Sequence, residues 1–323
     1  VQETKVENPV LPACRWVASQ AEHVTIDTDA VSTVARQWVA EGFVPPRWDP
    51  QFHFLGSPVH TAQFMFVVDT LNFCFWGEPK WRIRYRGRWL DGYWALAASI
   101  SRAIEDGLPI LDACFLSQIS DQTVAWVFRG DGSLPLLEQR TANLREAGRW
   151  LMGRYEGWFH NFVEDASRNA LSIALRLGEE VTSYRDVALY KGVQIPLLKR
   201  AQLCAADLRG IFGGKLYGSL ADVPKLTAFA DYKLPQMLRA LGILRYSQDL
   251  AEKVDNLVPL SAGSQQEVEI RASTVWAVEL LRQHLAVLGL EVTAVDIDYH
   301  LWYLSQSREL QSRPYHRTLT IFY

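Results

Sequence analysis

The 323-residue chain has no surplus of charge: 33 Lys and Arg stand against 36 Asp and Glu, a formal net charge of −3. A protein that grips duplex nucleic acid needs basic groups to displace counterions from phosphates, and the bulk balance offers no excess of them. Cysteine is scarce and scattered. Cys14, Cys74, Cys114 and Cys204 form no CxxC pair and no Cys/His cluster at zinc spacing. That argues against a zinc module or a disulfide scaffold and fits reduced thiols in a cytoplasmic protein. No apolar run reaches the roughly 18 residues of a membrane span, and the polar amino end from Val1 to Asn8 does not read as a signal peptide. Internal repeats, low-complexity tracts and linkers rich in Pro, Gly or Ser are also missing.

What is present is a folding chain, 49% apolar and 21% charged, with 12 Trp, 14 Phe and 12 Tyr. Aromatics at that density fill a large core, and they also hold flat heterocycles. Helical spacing of apolar residues predicts helices over 26–41, 89–106, 134–152, 158–177, 197–212, 234–241 and 272–288, separated by Gly, Pro and Asp. Two stretches read as extended, Gln63–Val68 and Arg317–Tyr323. The expected fold is mainly α, one compact helical domain over 1–323 with a small β-sheet; two lobes meeting near 178–190 are compatible with it.

The segment Phe229-Ala230-Asp231-Tyr232-Lys233-Leu234-Pro235-Gln236 carries the strongest chemical signal. Pro235 suits a first helical turn, Leu234, Met237, Leu238 and Leu241 follow at helical spacing, and Gly242 stops the run. Asp231 therefore stands at the amino end of a short helix, where the dipole favours an ionised carboxylate. An ordinary helix cap would look the same.

Other constellations are individually ambiguous. Asn72 interrupts the large residues of Asn72–Trp76 and needs partners if buried. His53 lies between Phe52 and Phe54 in a loop. Lys199 and Arg200 begin a helix, against its dipole, a conflict tolerated where an anion waits, such as a phosphate or Asp207. Thr293 and Asp296 form a capping-box-like start. On the helix that follows, Asp298 and Trp302 share one face and Tyr299 and Tyr303 the next, a carboxylate ledge bordered by rings and suited to the donor edge of a guanine-like base. Arg313, His316 and Arg317 place three basic groups before the last stretch.

Together these pieces resemble one family, the queuosine salvage proteins, which act as queuosine 5′-phosphate N-glycosidases. The likeness runs across nearly the whole chain: Asn72–Trp76; Gly92-Tyr93-Trp94 with Arg102-Ala103; Lys199–Gln202 with Asp207; Phe229–Tyr232 with Pro235-Gln236; Asp298-Tyr299 with Leu301-Trp302; and His316–Thr318 with Tyr323. The resemblance implies hydrolytic release of queuine, a 7-deazaguanine derivative, for reuse in transfer RNA. It implies Asp231 as catalytic carboxylate and His53, Phe229, Asp298 and Tyr299 as contacts to the base; Tyr232 and Tyr303 are further candidates for that contact. The phosphate candidates are Lys199, Arg200, Arg313, His316 and Arg317, unranked apart from the dipole conflict at Lys199, with Lys199 and Arg317 taken forward. Family members often carry an Asp after the Leu-Trp pair. Tyr303 stands there instead, keeping a hydroxyl but losing a charge pair with the amine of the queuine side chain.

The Asp231 segment is also similar to a motif of helix-hairpin-helix DNA glycosylases, in which an Asp precedes a helix ending much as Arg239-Ala240-Leu241-Gly242 does. Two rivals are a nucleic-acid base-excision glycosylase and a non-catalytic helical scaffold. The expected partner is a small nucleotide, with no metal, organic cofactor, membrane or duplex nucleic acid, and the expected state is a monomer.

Overall fold

The computed structural model describes residues 7–306 and 313–323. The polar amino-terminal stretch read above lies, up to residue 6, outside them. Among the described residues there are fourteen α-helices, and the strands form three two-stranded antiparallel ribbons. The expectation of a mainly helical fold holds, with the small sheet replaced by separate ribbons. No helix of these residues is long and apolar enough to cross a membrane.

The chain forms two compact units. One comprises residues up to 47, 186–199 and 222–319; the other comprises 48–185, 200–221 and 320–323. The first is built on the 23-residue helix Gln265–Val287, against which Val10–Gln20, Thr28–Ala40, Lys233–Ala240 and Ala294–Leu304 pack. Its core includes Val31, Val34, Met237, Leu238, Ile270, Leu281, Ile297 and Leu301. Each such side chain contributes about 1.5–3 kcal/mol by leaving water. The ribbon Val24–Ile26 with Leu244–Tyr246 and the hairpin Val187–Pro196 complete this unit.

The second unit is organised around Pro58–Thr70, which is a helix and not the strand expected over 63–68. Every residue from Thr61 to Thr70 is buried, so no polar face marks the helical period, and a continuous apolar run reads like a buried strand. The start signal was nonetheless present. Ser57 caps the helix through His60 N, and Pro58 occupies the first turn.

Three further expectations need correction. Residues 158–177 form two helices, Phe159–Asp165 and Ala170–Glu180, because Ser167 and Arg168 take positive φ and Asn169 caps the second. Arg88–Asp91 is a strand of the hairpin Arg82–Asp91, and the helix begins only at Gly92. Arg317–Tyr323 joins no sheet; Leu260 N donates to Arg317 O at 2.8 Å, and Cys74 N to Tyr323 O at 2.8 Å. These are single tethers and not a ladder.

Candidate functional site

Asp231 precedes the helix Lys233–Ala240 by two positions, and its carboxylate does serve as a cap. Oδ1 accepts hydrogen bonds from Lys233 N at 2.7 Å and Leu234 N at 2.9 Å. The far end is closed by Gly242 at φ 75°, with Ile243 N returning to Leu238 O at 2.9 Å. Only half of the carboxylate is used this way. Oδ2 accepts no hydrogen bond from the described residues, and the side chain keeps part of its surface exposed. Although partly exposed, the group lies deep among protein atoms. Desolvation pushes its pKa above the ordinary carboxylate value, against the opposing pull of the Lys199 charge and the two backbone donors. The result is an oriented carboxylate with one oxygen tethered and one available.

Several elements of the same unit fix this position. Phe229, two residues earlier and buried, donates its backbone N–H to Asp298 Oδ2 at 2.7 Å. Asp298 is itself buried on the helix Ala294–Leu304, whose capping box pairs Thr293 with Asp296 as the sequence indicated. The Phe229 and Tyr299 rings meet edge to face at 6.4 Å. Tyr232 is buried and lies 4.8 Å, ring to ring, from Tyr315, over which the Lys233 ammonium sits at 4.9 Å. Gln236 binds Arg313 O at 2.6 Å, fastening the stretch that follows the undescribed residues to the same helix. Tyr303 is half-buried, and its hydroxyl reaches Arg47 O at 3.4 Å. The structure thus brings Phe229, Asp231, Tyr232, Asp298 and Tyr299 together around one short helix.

The residues that the sequence did not single out are Arg271 and Asp186. Arg271, on the central helix and 2% exposed, forks onto Asp186 through Nη1 to Oδ1 at 2.9 Å and Nη2 to Oδ2 at 2.6 Å. Its Nε donates to Ala230 O at 3.0 Å, and Glu267 lies 3.6 Å from Nη1. Asp186 Oδ2 also accepts the Lys199 backbone N–H at 3.0 Å. Asp186 is thus one anion at that helix start, and Asp207, the partner considered from sequence, accepts from Trp48 Nε1 at 3.1 Å. Arg271 four residues after Glu267, at the spacing of a helical ion pair, was the available signal.

The remaining basic candidates divide sharply. Lys199 is buried and its charge acts on Asp231. Arg200 belongs to the second unit, where its guanidinium donates to Asp69 O at 3.1 Å, Thr70 O at 2.7 Å and Ser183 O. It is committed to the carboxyl end of Pro58–Thr70, which removes it from the phosphate candidates. His316 is 1% exposed, and burial with the Arg271 charge pushes its pKa down to about 3, so it is neutral. Arg317 is half-buried.

His53 lies in the second unit, 8% exposed among aromatic rings, with Trp48 at 4.5 Å and Tyr93 at 5.6 Å. Its Nε2 pairs with the Tyr93 hydroxyl at 2.8 Å, and burial pushes its pKa down to about 3. Nearby in sequence, Asn72 is buried and its amide reaches Asp69 Oδ1 at 3.4 Å. No group of three or more His, Cys, Asp or Glu suited to a metal occurs among the described residues. A groove of about 660 Å³ in the first unit, lined by Arg15, Thr227, Trp276 and Glu279 among others, contains none of the predicted site residues.

Comparison with known proteins places the whole chain beside one group of named relatives. The family model described as "Queuosine salvage protein" matches residues 52–323. A Sphaerobacter thermophilus protein named queuosine 5′-phosphate N-glycosylase/hydrolase is 45% identical over 314 residues, covering 97% of both chains. Proteins of the same name from Mus musculus and Schizosaccharomyces pombe are 36% and 31% identical. They cover 96% and 95% of this chain, and 97% and 93% of their own lengths, respectively.

Proposed function

The chain belongs to the queuosine salvage protein family, and from that premise we propose that it hydrolyses the N-glycosidic bond of queuosine 5′-phosphate, releasing queuine. The observation that carries the reading is the half-tethered carboxylate of Asp231, with Oδ1 held by two backbone donors and Oδ2 available. Breaking the bond leaves positive charge on the ribose and negative charge on the departing base. A 7-deaza ring lacks the nitrogen that ordinary purine glycosidases protonate, so stabilising the sugar cation carries more of the burden. An ionised Oδ2 facing the anomeric carbon, or a water on its way there, supplies that charge. Its tether removes the freedom that a surface Asp would have to lose.

Phe229, Tyr232, Asp298, Tyr299 and Tyr303 are assigned to the base and its side chain, and Lys199 and Arg317 to the phosphate. The assignment of His53 to the base rests on the likeness of its segment to the family. As a neutral imidazole it would act there through a hydrogen bond and not a charge.

Asp298 has a double duty in this scheme. Its Oδ2 holds Phe229 N, and the same carboxylate is assigned to orienting the ligand. Asp298→Asn, with the amide oxygen toward Phe229, preserves the tether and alters the ligand contact. It is expected to weaken queuine binding about tenfold, roughly one charge-assisted hydrogen bond, with a smaller effect on turnover. Asp298→Ala releases the loop as well and is expected to lower both affinity and turnover. Titration of free queuine beside steady-state kinetics separates the two, and equal behaviour of the variants in both measurements contradicts the assignment.

The reading itself is tested by incubating the protein with queuosine 5′-monophosphate and detecting free queuine by chromatography. Parallel samples contain the unphosphorylated nucleoside and a damaged DNA duplex. Queuine release from the nucleotide is expected, with none of the duplex cut; base release from the duplex alone would overturn it.

A further inference from the structure

The Arg271–Asp186 pair is buried on both sides, each side chain only 3% exposed, at a depth where charged groups are not placed without consequence. One guanidinium holds two separate chain segments. Through Nε it fixes the carbonyl of Ala230, the residue immediately before Asp231; through its fork it fixes Asp186, which in turn holds the backbone N–H of Lys199. Glu267, one turn earlier on the same helix, backs the guanidinium from the other side and takes Gly263 N at 3.1 Å. Asp231 and Lys199 thus depend on one shared anchor for their spacing.

We infer that Arg271 is a positioning residue for the reaction, setting the Asp231 carboxylate against the Lys199 segment through the Ala230 carbonyl and Asp186. This rests on the reading of Asp231 as the catalytic carboxylate. A lysine at 271 keeps the charge for Asp186 and Glu267, but a single ammonium cannot reproduce three donors in a fixed plane. The Ala230 carbonyl is then the contact expected to be lost, and the loop carrying Asp231 shifts.

The test is Arg271→Lys, alone and in an Asp231→Asn background, measured by single-turnover cleavage of queuosine 5′-monophosphate with enzyme in excess, by steady-state kinetics and by melting temperature. The lysine variant is chosen because it keeps the buried charge balanced, and Arg271→Ala supplemented with free guanidinium serves as the rescue arm. Misplacement predicts a fall in kcat of about 10- to 100-fold with KM within about threefold of the parent. It also predicts partial recovery on adding guanidinium, and no further loss when Arg271→Lys is combined with Asp231→Asn. A lowered melting temperature with unchanged kcat would show a role in folding alone and overturn the inference. So would a full additional loss in the Asp231→Asn background, which places the effect outside Asp231. Parental turnover in Asp231→Asn itself refutes the reading of the site, a result distinct from either of these, and the inference falls with it.

Discussion

Asp231→Asn is expected to slow cleavage of queuosine 5′-phosphate about a thousandfold and, at neutral pH, to raise the melting temperature. The rate effect follows from charge. A carboxylate roughly 4 Å from a developing cation contributes about 4 kcal/mol at an effective dielectric near 20, and about 4 kcal/mol corresponds to roughly a thousandfold in rate. The amide oxygen of Asn can still accept from Lys233 N and Leu234 N, so the loop and the base contacts persist and queuine binding should survive.

The stability effect follows from the raised pKa. The folded protein holds this proton to higher pH than the unfolded chain does, so between the two pKa values stability falls as pH rises. Above the folded pKa the full cost of the ionised, desolvated group is present; below the unfolded value it is absent. The advantage of the Asn variant should therefore be largest near neutrality and vanish in acid, as melting curves across that range will show. Near-parental rates would refute the catalytic assignment, and a lower melting temperature at neutral pH would refute the account of the desolvated charge.

Arg140→Leu is the largest stability loss expected in the second unit. Arg140 is fully buried. It donates to Leu71 O and Phe73 O at 2.5 Å each, to Cys74 O at 2.9 Å and to Pro135 O at 3.0 Å, with Phe73 packed 4.2 Å from the guanidinium. Leucine fills much of the volume but leaves these carbonyls without a donor, at about 1–3 kcal/mol for each that stays buried and unpaired. A net loss of about 3–5 kcal/mol allows for local relaxation and water entry. Urea unfolding should show the first transition at a clearly lower midpoint. An unchanged midpoint would mean that the Asn72–Trp76 turn is held by other contacts.

Where the sequence was readable, the signal was local. Thr293 and Asp296 announce their capping box within three residues, and Pro235 and Gly242 bracket the helix behind Asp231. Asp231 stood out because cap chemistry and the proposed site chemistry call for the same residue type at the same place, and the cap contacts are present. Pro58–Thr70 was misread because burial on all sides erases the periodicity that distinguishes a helix from a strand. The Arg271–Asp186 anchor was invisible for a different reason: its partners are 85 residues apart, and only the folded chain shows that they meet. Arg200 looked like a phosphate ligand for the same reason, since the carbonyls that occupy it belong to distant residues.

The two imidazoles named as site candidates, His53 and His316, are both held near 3 by burial, and so neither gains or loses a proton in the neutral range. Neither can then be the source of an inflection in a rate profile, which leaves Asp231, whose raised pKa gates its ionised form, and the nucleotide, since a phosphate monoester takes up its second proton at about pH 6. Assayed on the nucleoside lacking that ester, the profile should lose the nucleotide's step and keep that of Asp231.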